Sequence, residues 1–210
     1  MIRTAVALIL ACGVAAASSV AATDEGLERR VLAEINAARA DPASYAEKLK
    51  AYRRLYDGKL VRRPGNAVLL QTKEGASAVD EAIAALSRQQ PLPALAASPL
   101  LARAAEQHAA EQGPSGATGH ASPDGAGPGE RVRRLGGGSY VAETISYGES
   151  TADGVVRQLI IDDGVPSRGH RAILFDGRYR FAGAGCGPHA AYRWMCVIDY
   201  SIGRDGGAGS

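Results

Sequence analysis

The chain lacks a strong charge of either sign and lacks abundant cysteine. Its 210 residues carry a formal net charge of +2, which falls to +1 without residues 1–22, where Arg3 is the one charged residue. Such a small net charge favours neither nucleic acid nor an anionic membrane as a partner. No segment after residue 22 is long and uncharged enough to span about 30 Å of hydrocarbon, so a transmembrane segment is not expected.

The first residues are typical of a secretory signal peptide. Arg3 precedes an uncharged apolar run over residues 5–17, and small residues follow at 20–22. This order predicts cleavage near Thr23, a signal peptide over residues 1–22, and a secreted or periplasmic product. An alternative is a lipoprotein anchored at Cys12, because residues 9–12 loosely resemble the sequence at which lipoproteins are processed. The remaining 188 residues suffice for one well-buried domain.

The cysteine count supports export and a disulfide. Only Cys186 and Cys196 remain if Cys12 leaves with the signal peptide. An exported chain with one pair of thiols most simply oxidises them to a disulfide. Metal ligation by the two cysteines is the alternative, although no further cysteine or spaced histidine pair completes a zinc pattern beside them.

Helical spacing of apolar residues comes first along the chain, and strand-like alternation comes mostly last. Helices are predicted at 27–40, 45–56, 73–88, 99–112 and 151–161, and strands at 139–147, 180–187 and 192–201. Ser98 is a suitable N-cap for the fourth of these helices. This order is an α+β pattern. Residues 114–138 are rich in glycine and proline and are expected to form a loop, and the glycine-rich tail 204–210 is expected to be disordered.

Three short fragments combine histidine or acid with glycine-rich or strand-like surroundings. They are Thr118-Gly119-His120, Val141-Ala142-Glu143, and Ser167-Arg168-Gly169-His170, the last preceded by Asp162-Asp163. A charged turn with a histidine is a poor way to build a core, so these fragments indicate a site. His108 lies on the apolar face of a predicted helix and is expected to be buried. His189 follows a Gly-Pro pair in a hairpin and is expected to be exposed.

In order and content these fragments resemble the CAP superfamily of cysteine-rich secretory proteins, antigen 5 and pathogenesis-related proteins, and its small bacterial members in particular. The resemblance implies a three-layer α-β-α sandwich with a small antiparallel sheet over residues 23–203. It also implies a cleft shared by two histidines and two acids. His120, Glu143 and His170 match three of these by motif. Asp162 or Asp163 is the fourth, and Asp163 is the first choice because it adjoins Gly164 at the helix end.

Such a set of side chains has three possible roles. His120 and His170 could ligate zinc or another divalent cation, the groups could act as general acid and base with Glu143 as the candidate base, or they could pair structurally. From the resemblance we expect a secreted, monomeric bacterial protein that binds a divalent metal or a small or lipid-like ligand and is not an enzyme. The alternative is a metal-dependent hydrolase that acts on peptides or cell-wall material.

Overall fold

The computed structural model describes residues 26–63 and 68–209, and the predicted signal peptide with Cys12 lies outside them. The described residues form helices α1 (Leu27–Ala40), α2 (Pro42–Arg53), α3 (Ala76–Leu86), α4 (Pro99–Gln112), α5 (Pro128–Arg134), α6 (Ala152–Ile161) and α7 (Gly169–Leu174). They also form strands β1 (Tyr56–Asp57), β2 (Leu60–Val61), β3 (Leu70–Gln71), β4 (Ala96–Ala97), β5 (Val141–Tyr147), β6 (Phe181–His189) and β7 (Arg193–Ser201). No helix among them is long and apolar enough to cross a membrane.

The central sheet has four strands in the order β4-β6-β7-β5. The short strand β4 runs parallel to β6, whereas β7 pairs antiparallel with both β6 and β5. Cys186 and Cys196 are direct cross-strand partners and form a disulfide, as the sequence predicts. A separate antiparallel sheet of the strands β1, β2 and β3 lies between α2 and α3 in the chain, where the sequence patterns predicted neither helix nor strand after residue 56.

Alternating residues of β6 and β7 face opposite layers of helices. Ala182 and Ala184 pack into the core that includes α1 and α6. Gly183 and Gly185 point to the other side, where a Cβ atom would lie 2.1 Å from the Ala102 nitrogen and 2.2 Å from the Glu106 nitrogen of α4. Because glycine carries no side chain, α4 can approach the sheet backbone closely. The result is the expected α+β fold, a sheet between two layers of helices.

Local signals at the predicted fourth helix are confirmed in α4, whose N-cap Ser98 accepts a hydrogen bond from the Leu101 N–H at 3.2 Å. The following segment differs from the loop expected at 114–138, because it contains α5. Pro128 occupies the first turn of this helix, and its Val132 is fully buried against α4. Burial of one apolar side chain and a favourable proline thus outweigh the glycine-rich surroundings.

The glycine-rich tail is also more ordered than its composition predicts. Over residues 204–209 the Asp205 and Gly206 carbonyls accept hydrogen bonds from the N–H groups of Gly138 and Tyr140, each at 2.9 Å. The Ser98 hydroxyl donates to the Arg204 carbonyl at 2.6 Å. The expected disorder is therefore not observed over these residues. The tail pairs with the segment that leads into β5, and this pairing satisfies the backbone hydrogen-bonding groups of the tail.

Candidate functional site

The first histidine and acid pair is formed by His120 and Glu143. Glu143 lies in β5, and its side chain is only 1% exposed. One carboxylate oxygen is 2.8 Å from Nδ1 of His120, and the other accepts a hydrogen bond from Arg131 of α5. Because Nδ1 is bound to the acid, Nε2 points away from it, and the imidazole is 52% exposed. A buried carboxylate thus orients an accessible imidazole.

The loop that carries His120 is held by several side chains. Arg131 donates from Nη1 to the His120 carbonyl at 2.9 Å. The Gly119 N–H donates to the Tyr147 hydroxyl at 2.9 Å, and the Gly119 carbonyl is 3.0 Å from Nε2 of His108. His108 is fully buried, as expected, and burial lowers its pKa. These bonds fix the backbone on both sides of the imidazole.

A second carboxyl group, Asp199, lies directly opposite Glu143 in the register of β5 and β7. It is fully buried, and neither of its oxygens has a hydrogen-bond partner among the described residues. Burial, together with the nearby Glu143 carboxylate, raises the pKa of Asp199 well above its usual range, and Arg131 opposes this only in part. Because two buried carboxylates repel each other, burial and the Glu143 carboxylate both favour the protonated form of Asp199.

The second pair is formed by Asp162 and His170. Asp162 ends α6 in the left-handed conformation with φ of 57°. One of its carboxylate oxygens accepts the His170 N–H at 2.9 Å, and the other is 2.6 Å from Nδ1 of the imidazole. Asp163, the first choice from the sequence, instead accepts the N–H groups of Lys73 and Glu74, each at 2.7 Å. Asp162 therefore orients His170, and Asp163 anchors the turn to the chain before α3.

The turn between α6 and α7 is further fixed by Arg168. This residue is also left-handed, with φ of 52°, and its guanidinium binds both carboxylate oxygens of Glu74 at 2.6 Å. It also donates to the carbonyls of Asp162 and Val165. The Arg168 hydrogen bonds lower the pKa of Glu74 to about 2. The adjacent turn and the ion pairs of Arg168 with Glu74 and Glu81 therefore hold His170, whereas side chains from α4, α5 and β5 hold His120.

A cavity of about 500 Å³ opens beside the second pair. Its apolar wall includes Tyr56, Leu70, Tyr147, Leu159, Val165 and Tyr192. Among the described residues its polar lining includes Asp162, Asp163 and His170, whereas His120 and Glu143 do not belong to the lining. In the sequence-predicted set of five, the structure thus brings three residues to one cavity and places the other two in a separate pair.

The two histidines meet only part of the requirements of a metal site. In each, Nδ1 contacts a carboxylate, which is how a histidine that ligates a metal through Nε2 is commonly oriented. A catalytic zinc ion needs three protein ligands. Within residues 26–63 and 68–209, no three His, Cys, Asp or Glu side chains come together in a metal-binding group.

Sequence reasoning missed some of the residues around the site. Nothing in the sequence indicated a role for Arg131, because it lies in a run of charged residues that is typical of a solvent-exposed helix surface. Asp199 did give one, since a single acid stands inside an otherwise apolar strand. The expectation that His189 is exposed is wrong. It is 2% exposed, its Nε2 is 2.8 Å from the Ala117 carbonyl, and its ring contacts Tyr147.

Two solved structures resemble the fold at low sequence identity. An outer surface protein from Borrelia burgdorferi is 18% identical with a TM-score of 0.43, and the match covers 52% of this chain and 77% of that one. An extracellular protein containing a SCP domain from Bacillus anthracis is 21% identical with a TM-score of 0.42, and the match covers 60% of this chain and 37% of that one. No curated protein matches the chain significantly.

The family comparison is more extensive. The model of the cysteine-rich secretory protein family, CAP, matches residues 32–200, which include both histidine and acid pairs and the central sheet. The match covers well over half of the chain. The chain therefore belongs to the cysteine-rich secretory protein (CAP) family.

Proposed function

We propose that this chain is an exported binding protein whose cavity beside His170 takes a small amphipathic or lipid-like molecule. The observation that carries the proposal is the cavity itself. Its volume of about 500 Å³ is within the range of small-molecule sites, which extends over roughly 300–1,000 Å³. Apolar and aromatic walls with a few oriented polar groups are also typical of such sites.

The lining has two parts that suit the two ends of an amphipathic molecule. Tyr56, Leu70 and Tyr192 offer apolar surface to a hydrocarbon or ring. His170 offers a polar contact, because Asp162 occupies its Nδ1 and Nε2 has no hydrogen-bond partner among the described residues. A ligand hydroxyl or carboxylate at Nε2 would therefore gain a hydrogen bond without displacing a protein group.

The proposed export rests on two features of the chain. The order of charge, apolar run and small residues at 1–22 is that of a secretory signal peptide. The Cys186–Cys196 disulfide is the kind of crosslink that persists in oxidising compartments.

Titration with the fluorescent amphiphile anilinonaphthalene sulfonate tests the cavity. The wild type should bind the probe at one site, and His170→Ala should weaken binding by about tenfold through loss of one polar contact. Val165→Trp should weaken binding by filling the cavity. His120→Ala is the matched control, because this histidine also pairs with an acid but does not line the cavity. Absence of binding, or equal loss in the two histidine variants, would refute the proposal.

The second candidate function is metal binding. If the bound metal is catalytic, the protein would be a metal-dependent hydrolase. Metal binding is favoured by the acid contact at Nδ1 in both histidines, which directs each Nε2 outward. Calorimetric titration with zinc of the wild type, His120→Ala and His170→Ala tests it. A hydrolase with Glu143 as base should also lose turnover in Glu143→Gln while still folded. Heat of binding that is the same in all three proteins would remove the histidines as ligands.

A further inference from the structure

Exposed apolar side chains concentrate on the small sheet of β1, β2 and β3 and on the residues just before β3. Among the described residues, six large hydrophobic side chains are exposed, and four of them lie between positions 60 and 70. These four are Leu60, Val68, Leu69 and Leu70, with exposed fractions of 38%, 72%, 40% and 44%. A concentration of this kind on one edge of a protein marks a surface that meets another apolar phase.

The strand register separates two faces of this sheet. Val61 pairs with Leu70, and Val61 is fully buried, so this side faces the protein and its cavity. Leu60 pairs with Gln71 and points to the opposite side, although Gln71 also contributes to the lining of the cavity. There a shallow depression of about 320 Å³ is lined by Leu60, Leu69, Arg54 and Arg62, which we call the outer face. Asp57 also lines the depression.

Basic residues concentrate on the same segment. Residues 53–73 contain six Lys or Arg and one Asp, a net charge of +5 in a chain whose total is +2. Arg53 and Arg63 are neutralised by Asp80 and Glu149. The other four basic residues have no ion pair with any acid in the described part of the chain, and all four are exposed: Arg54, Lys59, Arg62 and Lys73. Their charge is therefore available to an anionic partner.

We propose that the outer face docks onto an anionic phospholipid bilayer. Exposed cations near such a surface each gain roughly 1 kcal/mol from its negative potential. Aliphatic side chains between them then enter the boundary between headgroups and acyl chains, as in other proteins that lie on membranes. A soluble polyanion would satisfy the arginines and would leave Leu60 and Leu69 in water. The pairing of aliphatic and cationic side chains thus favours the bilayer.

Docking on this face would bring the cavity close to the lipid. Leu69 belongs to the outer face, and its neighbour Leu70 lines the cavity beside His170. One wall of the cavity is therefore adjacent in the chain to the proposed contact. The docking itself does not depend on what the cavity binds, so the two proposals can fail separately.

Cosedimentation with vesicles tests the docking. The wild type should partition onto phosphatidylcholine vesicles that contain phosphatidylglycerol, and much less onto phosphatidylcholine alone. Arg54→Glu with Arg62→Glu should lower the partition coefficient by roughly tenfold or more. Leu60→Ser with Leu69→Ser should lower it by about tenfold without a change in net charge. Added salt should weaken the binding of the wild type.

The matched control is Arg88→Glu with Arg103→Glu. It makes the same change in net charge at exposed residues, which have no ion pair in the described part of the chain and lie outside the outer face. This control should bind vesicles like the wild type. Equal losses in the control and the Arg54 and Arg62 variant would show that only bulk charge matters. Full binding by the leucine variant would indicate a polyanion site, and either result would overturn the proposal. Unchanged circular dichroism and unchanged midpoints of urea denaturation would show that each variant is folded.

Discussion

The two histidine and acid pairs have the same bond between Nδ1 and a carboxylate, but different surroundings. Asp162 and His170 are eight residues apart, and one turn with its Arg168 bonds orients both. His120 and Glu143 are 23 residues apart, and their contact depends on Arg131 from a third element. The local pair faces a cavity, whereas the assembled pair covers a buried group of charges. We infer that Glu143 and Arg131 of the assembled pair organise the fold and that the local pair presents its imidazole to the cavity.

Charge balance accounts for much of this difference. Around Glu143 a second carboxyl, Asp199, is fully buried, and Arg131 is the cation that hydrogen-bonds to Glu143 there. Around Asp162 the neighbouring acids Glu74 and Asp163 are engaged separately, by Arg168 and by backbone N–H groups. Disturbing the assembled pair should therefore affect stability, and disturbing the local pair should mainly affect binding.

The largest expected effect is that of Arg131→Met. The substitution keeps most of the side-chain volume and removes the guanidinium that hydrogen-bonds to the buried carboxylate of Glu143 beside Asp199. Removal of one partner from a buried ion pair costs about 3–5 kcal/mol. The free energy of unfolding, measured by urea denaturation, should fall by that amount.

Arg133→Ala in the same helix is the control for this prediction. Arg133 is 63% exposed, and its ion pair with Glu130 should contribute less than about 1 kcal/mol. Losses of equal size in the two variants would mean that Arg131 stabilises α5 and does not act through the buried charges.

The second-largest expected effect is a change of the free energy of unfolding with pH, caused by the ionisation of Asp199. Its pKa is raised in the folded chain, so the unfolded carboxyl ionises first, near pH 3.9. Above that pH the wild type should lose about 1.4 kcal/mol per pH unit until the folded carboxyl also ionises. Asp199→Asn carries no such charge and should gain stability relative to the wild type as the pH rises above about 4. Urea denaturation across this range measures the difference.

Asp176→Asn should show the opposite trend. Hydrogen bonds from Arg178 lower the pKa of Asp176, so its contribution is present above the unfolded value and is lost as pH falls through the lower, folded value. This variant should therefore cost stability near neutral pH and little in acid. If Asp199→Asn followed the same trend as Asp176→Asn, Asp199 would be ionised in the folded protein.

The sequence predicted the regular elements better than the contacts between them. Ser98 and the apolar spacing of α4 are local signals, and they gave this helix correctly. The resemblance identified His120, Glu143 and His170, but the choice between Asp162 and Asp163 depended on the left-handed end of α6. The left-handed φ angle of Asp162 determines which carboxylate contacts the imidazole, and the amino-acid composition of the turn does not specify this angle.

Contacts between segments that are distant in the chain were harder to predict from the sequence. Asp199 faces Glu143 only because β5 and β7 pair in one register, which the sequence does not state. Net charge also concealed a local feature, since a total of +2 includes a segment with +5 at residues 53–73. The whole-chain charge did not favour an anionic membrane, whereas the structure places Arg54 and Arg62 of that segment beside one shallow depression with Leu60 and Leu69.

The smallest expected effect is at Tyr147, which connects the two regions. Its hydroxyl donates to Gln112 at 2.6 Å and accepts the Gly119 N–H beside His120, while its ring lines the cavity. Tyr147→Phe leaves these two groups without their partner and should cost about 1–2 kcal/mol. Hydrogen exchange of the Gly119 amide should accelerate, and binding of anilinonaphthalene sulfonate should stay close to that of the wild type.

Tyr192→Phe is the control for that hydroxyl. Tyr192 also lines the cavity, but its side chain is half exposed and its hydroxyl makes no hydrogen bond to the described residues. Its removal should change neither stability nor exchange at Gly119. If Tyr147→Phe instead weakened binding of the probe as strongly as His170→Ala, the hydroxyl would couple the His120 loop to the cavity. The two pairs would then act as one site, as the family resemblance originally implied.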